Sequence, residues 1–285
     1  MMFSKRVKFF LTIKICCLLG MACVFSNAFA EAPDRPSAID FLHPGEVLLY
    51  DVYWSGIPCG EIKMEILDMI EYEGKEAFHF VLTAESNRFL SVFYEVRDRI
   101  ESIADAKELY SLRYEKRLRE GHYEKDQVVT YNPEMGTAKY VEKSGEEEIQ
   151  VMEKSKDTLS SFYLFRMVDL EIGTHVDFYV DSNKKHYKLR VHAKEKEEIE
   201  IRNRGVFDTI RVEVDVEKIV PNGDNEITKN GIVLWMSNDE KRVPVRIRTQ
   251  VFLGEIDMLL KPGTLDQKTI STSPSKKSTK KRSRI

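Results

Sequence analysis

Past residue 30 the chain has a single cysteine, Cys59; the other three of its four, Cys16, Cys17 and Cys23, lie near the start. One thiol forms no internal disulfide, and no Cys/His zinc spacing can be built around it. Ile57-Pro58-Cys59-Gly60 reads as a strand-turn position with the thiol buried as a small hydrophobe. The signatures of several enzyme classes are also missing. There is no Gly-x-Ser-x-Gly elbow for a serine nucleophile, no glycine loop for phosphate and no dinucleotide fingerprint. The six histidines (His43, His79, His122, His175, His186, His192) include no pair at i, i+4. His186 and His192 share a strand face but stand ~20 Å apart along it. Neither a metal nor a cofactor is expected.

Long apolar runs are absent after residue 30, so no helix there could cross a bilayer. Positive charge is scarce in the body and concentrated at the two ends. Lys5, Arg6, Lys8 and Lys14 give the first thirty residues +4, and seven basic residues against Asp266 give residues 264–285 +6. Setting both aside takes the net −3 of the chain to −13 over residues 31–263. An acidic body argues against nucleic acid as the main partner, because binding phosphates needs a concentrated positive face.

What is present begins with an export signal. A basic start is followed by an apolar stretch from Phe9 to Phe25, broken by Lys14, and then by Ala28-Phe29-Ala30. The small residues at −3 and −1 predict cleavage after Ala30 and an exported, periplasmic address. Neither Cys16 nor Cys23 follows the residues that a lipid-attachment signal wants. Residues 31–40 then read as a short leader, 41–262 as a single β-rich domain, and 263–285 as a disordered Ser/Thr/Lys tail.

Within the domain the dominant hydrophobic period is two. Ile210-Arg-Val-Glu-Val-Asp-Val216 alternates without a fault, and Glu61–Ile66, Tyr187–Val191 and Val245–Val251 behave similarly. Such runs have one face on a core and one in water, as in antiparallel sheet. About ten to twelve strands are predicted, separated by turn signals such as Tyr72-Glu-Gly74 and Asn132-Pro133. The fold class expected is mainly β: a large antiparallel curved sheet or a half-open or closed barrel, with one or two short helices. Asp157 precedes a segment with Leu159, Phe162, Tyr163 and Arg166 at helical spacing. It is placed to cap a helix that packs across the sheet or plugs a barrel mouth.

Fifteen Phe, twelve Tyr and two Trp either fill the core or line an apolar cavity. The candidates for such a lining are Tyr50, Tyr53, Trp54, Phe89, Phe93, Tyr94, Phe162 and Trp235. In the tail, Lys276, Lys277, Lys280, Lys281, Arg282 and Arg284 are candidates for contact with an anionic membrane surface or wall polymer. The carboxylates Asp51, Asp98, Glu101, Asp157 and Asp239 lie beside apolar strand residues, and Asp98, between Arg97 and Arg99, is expected to form a salt bridge. Pro244 is expected on an edge strand.

Four segments carry a family resemblance. Pro44–Val52 with Gly56–Glu61, Tyr94–Glu101, Asp157–Arg166 and Leu234–Val245 occur in the order of the signatures of DUF3108, which this chain resembles over roughly 41–260. The resemblance implies a signal-bearing, β-rich envelope protein of a diderm bacterium, with no catalytic residues to carry over. By analogy of fold it also implies a plan similar to the half-barrels that shuttle lipids or lipoproteins across the periplasm. The leading expectation is a non-enzymatic protein holding lipid or another apolar ligand, or an envelope partner, in a curved sheet. Two alternatives stay open: a structural protein tethered to an anionic surface by its tail, and an envelope glycan enzyme with paired carboxylates.

Overall fold

A computed structural model describes residues 37–201, 204–220, 226–251 and 254–261. The segments read from the sequence as export signal, most of the leader and the tail, with its six candidate basic residues, lie outside the described residues. The described chain is built from fifteen strands in one antiparallel sheet and three short helices.

The first nine strands are β1 (Val47–Trp54), β2 (Ile57–Ile66), β3 (Ile70–Tyr72), β4 (Lys75–Ser86), β5 (Arg97–Asp105), β6 (Ser111–Glu120), β7 (Tyr123–Asn132), β8 (Thr137–Glu142) and β9 (Gly145–Gln150). The remaining six are β10 (His175–Ser182), β11 (Lys185–Ile201), β12 (Gly205–Ile219), β13 (Glu226–Ser237), β14 (Pro244–Val251) and β15 (Gly254–Leu260). The helices are α1 (Ala38–Phe41), α2 (Arg88–Ser91) and α3 (Thr158–Arg166). Two meanders, β1 to β9 and β10 to β15, are joined where β1 pairs with β15. The sheet therefore ends at β9 on one side and β10 on the other and does not close, which settles the choice between open sheet and barrel.

Alternation explains which face of each strand is inside. On β12 the buried Ile210, Val212, Val214 and Val216 interleave with Arg211, Glu213, Asp215 and Glu217. The outward residues pair across strands, as in Arg211–Glu195, Lys194–Glu213 and His192–Asp215, and along a strand, as in Arg211–Glu213. Acids elsewhere on this outer face are occupied in the same way. Glu115 lies between Arg113 and Arg117, and Asp177 between Lys188 and Arg190. Turn chemistry fixes the register of the first hairpin. Ser55 and Gly56 both have positive φ, 48° and 83°, the primed two-residue turn that matches strand twist. Trp54 accordingly faces Ile57.

α3 lies against β4, β5 and β10, on the side to which the sheet's apolar residues point. Asp157 caps it as expected, its carboxylate accepting from the Leu159 and Ser160 N–H groups at 2.8 and 3.0 Å. The same carboxylate accepts from the hydroxyls of Ser102 on β5 and Ser111 on β6, at 2.6 and 2.5 Å. Along the helix, Tyr163 stacks on Phe80 at 4.1 Å and Phe165 meets Phe178 edge-on at 5.8 Å. At the far end the buried Arg166 forms a bidentate pair with Glu46 at 2.5 and 2.9 Å and donates to the Lys241 carbonyl.

Pro244 is not on an edge. β14 runs between β13 and β15, and Pro244 is its first residue, opposite Met236 at a register shift. A strand start beside a bulge spares the ladder the missing N–H just as an edge does. The Pro244 carbonyl is used as well, accepting from the Tyr50 hydroxyl at 2.9 Å.

Candidate functional site

The inward rows of the two meanders and one side of α3 do not meet everywhere. Between them is an apolar cavity of about 160 Å³. Tyr50 and Val52 of β1, Leu82 and Ala84 of β4 and Ile100 of β5 line it on one side. Val191, Val214, Leu234 and Met258 line it on the other, and Phe162, Phe165 and Ser161 of α3 face it from the helix. A void of this size with such walls compares with the ~150 Å³ engineered apolar cavity that stays dry and takes up benzene.

Cys59 and Gly60 of β2 and Glu85 and Ser86 of β4 also belong to the lining. A Cβ on Gly60 would lie 2.4 Å from the Glu85 carbonyl oxygen, so only glycine allows this approach of the two backbones. Beside it Cys59 faces the cavity, its thiol 3.4 Å from the Val52 carbonyl; burial pushes that thiol up to about 11. The buried, unreactive role expected for Cys59 rests on the same burial.

Three acids, Glu61, Glu85 and Asp98, belong to this otherwise mostly apolar lining, and Asp98 is the buried one among them. Asp98 on β5 is 5 % exposed and faces the cavity. The salt bridge expected from Arg97 and Arg99 is not formed, because neighbours on a strand point to the opposite face. Arg97 pairs with Glu95 and Glu85, and Arg99 with Glu101, all outside. Asp98 instead accepts from the Arg119 N–H at 2.8 Å and shares a hydrogen bond with the buried Glu120 carboxyl. Burial, reinforced by the charge of Glu120 and opposed by the Arg119 N–H, pushes Asp98 up to about 7. Tyr94 reaches the same cluster through its hydroxyl, 3.3 Å from Glu120. Parity with Ile100 on β5 was the signal in the sequence that placed Asp98 inside.

Of the eight aromatic candidates, the structure brings Tyr50 and Phe162 to the cavity wall. The other six are elsewhere. Tyr53 points to the opposite face of β1, beside Asp51 and Lys63. Trp54, at the end of β1, packs on the margin of the core. Tyr94 lies over Gly121, outside the lining. Phe89 and Phe93 are 64 % and 78 % exposed, because α2 and the turn after it project beyond the sheet. Trp235 alternates with the inward Leu234 and lies on the outer face. There Arg246 and Arg248 cover its ring at 5.0 and 5.4 Å and Glu197 accepts its indole N–H. Asp51 and Asp239 are also outside, the first paired with Arg204 and Lys261 and the second bonded to Ser237.

Among solved structures, the chain is similar to a candidate lipoprotein of Parabacteroides distasonis at 10 % identity and a TM-score of 0.33, covering 80 % of this chain and 98 % of that one. It is also similar to a candidate exported protein with a YmcC-like fold from Bacteroides fragilis, at 11 % identity and a TM-score of 0.28, covering 76 % and 94 %. No curated protein matches it. A family model described as "Protein of unknown function (DUF3108)" matches residues 49–261, which takes in every strand of the sheet except the first two residues of β1, and the chain belongs to the DUF3108 family.

Proposed function

We propose that this is an exported, non-enzymatic protein that binds one narrow apolar chain, such as an acyl chain of a lipid, between α3 and the sheet. The observation that carries the reading is the cavity of about 160 Å³ walled by aliphatic and aromatic side chains from both meanders. Its volume is below the ~300–1,000 Å³ of pockets for drug-sized ligands, which suits part of a chain and not a ring system. Burial holds Asp98 at about 7, well above the usual carboxylate range, which lowers the cost of setting its carboxyl beside an apolar chain. The export address rests on the basic and apolar start followed by Ala28-Phe29-Ala30.

A glycan enzyme draws less support. Its two carboxyls should stand ~5–10 Å apart across a wet cleft, whereas Asp98 and Glu120 are in hydrogen-bond contact beside an apolar void. The test is native mass spectrometry of protein purified from its own host, with solvent extraction of whatever it carries. A bound apolar species is expected, reduced in Ala84→Leu, which adds a side chain to the cavity wall. Protein that is clean in both forms, and takes up no fluorescent fatty acid, would overturn the reading.

A further inference from the structure

Two adjacent tips of the sheet are unlike the rest of the surface. The first is the β1–β2 turn, Trp54 to Gly60; the second is Ser86 to Tyr94, which contains α2. In a chain that is 32 % charged, these two segments hold one charged residue, Arg88. What they present is apolar: Ile57, Phe89, Val92 and Phe93 are 53 %, 64 %, 77 % and 78 % exposed. Phe89 and Phe93 stand edge-on to one another at 6.1 Å.

These side chains are held outward by a built framework. The Asn87 side chain caps α2 by accepting from the Leu90 N–H and donates to the Pro58 carbonyl at 2.7 Å, while its backbone N–H reaches the Cys59 carbonyl. The tips are thus stapled together. Ser86 and Ser91 share a hydroxyl contact at 2.7 Å, and the Ser86 hydroxyl also accepts from the Val96 N–H. A surface fixed in this way binds without paying to order itself.

We propose that this tip docks on a lipid bilayer surface, with Phe89, Val92, Phe93 and Ile57 in the interfacial region and Arg88 at headgroup level. Three observations favour a bilayer over a protein. The four side chains offer on the order of 500 Å², short of the ~800 Å² per partner of a standard protein interface, and a bilayer needs no matching surface. The tip is depleted of charge while the body carries −13. A protein partner is held by a polar rim of hydrogen bonds, and the nearest charges here, Glu85, Arg97 and Glu95, are engaged with one another. The tip is also continuous with the cavity lining, since Leu90 and Ser86 belong to both. The inference goes beyond the binding of a chain and does not depend on it.

Vesicle flotation of the full processed protein tests it, using phosphatidylethanolamine/phosphatidylglycerol vesicles in about 0.5 M salt, where charge attraction is screened. The wild-type protein is expected to float with the vesicles. Phe89→Ser/Phe93→Ser should lower partition roughly tenfold or more, with an unchanged thermal melt because both side chains are outside the core. Phe93→Trp should retain binding. Partition of the double variant within about twofold of wild type, or no flotation of either, overturns the proposal. Flotation that is lost on truncation after Gly263 and kept in the double variant would assign the contact to the tail. A wild-type dimer that the double variant converts to monomer would assign the tip to a second copy. Each of those results overturns the bilayer proposal, and none bears on whether a chain occupies the cavity.

Discussion

Asp157 and Asp98 are both buried against the same inner row of β5, at 0 % and 5 % exposure, and they are treated in opposite ways. Around Asp157 every direction is filled. Two serine hydroxyls and two helix N–H groups point at it, at 2.5 to 3.0 Å. Around Asp98 there is one backbone donor, an acidic neighbour and an apolar void. Burial raises both acids: at Asp157 four donors oppose it and the acid fixes where α3 begins, whereas Asp98, with one backbone donor and an acidic neighbour, is pushed up to about 7. A buried acid is therefore diagnostic only together with its donors.

Breaking the satisfied end should cost most. Asp157→Ala removes the cap and leaves two hydroxyls and two N–H groups without their acceptor, for an expected loss of about 3 kcal/mol. The midpoint of urea unfolding measures it, and a loss under about 1 kcal/mol would mean that α3 is held by packing alone.

At the poised end the sign reverses. Folded Asp98 keeps its proton up to about pH 7, whereas an unfolded Asp releases it near pH ~4. Between those values the folded chain holds the extra proton, so stability falls as pH rises through the window and levels off above it. Asp98→Asn preserves an acceptor for the Arg119 N–H and cannot ionise. It should be about 1–3 kcal/mol more stable than wild type near pH 8, with the gain shrinking towards pH 5. Paired urea titrations at the two pH values check it, and a pH-independent difference would place the ionisation elsewhere.

The smallest effect lies further along α3, towards Arg166. Tyr163 is fully buried and its hydroxyl has no hydrogen-bond partner among the described residues. Tyr163→Phe keeps the stack on Phe80, so stability should change by no more than about 1 kcal/mol, in the stabilising direction. A clear loss would point to a water or ligand atom on that hydroxyl.

These particulars also show what could be read from the sequence and what could not. The Asp157 cap was legible because a cap is local: the acceptor, the free N–H groups and the helical spacing lie within ten residues. The long alternating strands were legible for the same reason. β9, Gly145-Glu-Glu-Glu-Ile-Gln150, was not, since an acid-rich edge strand carries no apolar period. Fifteen strands accordingly stand where about ten to twelve were expected. The lining was legible only where a residue's parity on its strand was combined with that of its neighbours. Applied to Trp235 beside Leu234, or to Asp98 between two arginines, parity gives the observed face. It has nothing to say about Phe89 and Phe93, which leave the strand altogether, and the cavity itself depends on non-local contacts that no single segment encodes.

The pairing of β1 with β15 has a kinetic consequence. The first strand made finds its second neighbour only when the last has been synthesised, with Tyr50 opposite Leu260. Until then one edge of β1 is an unsatisfied row of N–H and C=O groups, and the two meanders have no seam between them. Contacts at such sequence separation slow folding and prolong exposure to wrong partners. The centre of the finished sheet is thus the part assembled last, and a chaperone that shields an open strand edge would act first on β1.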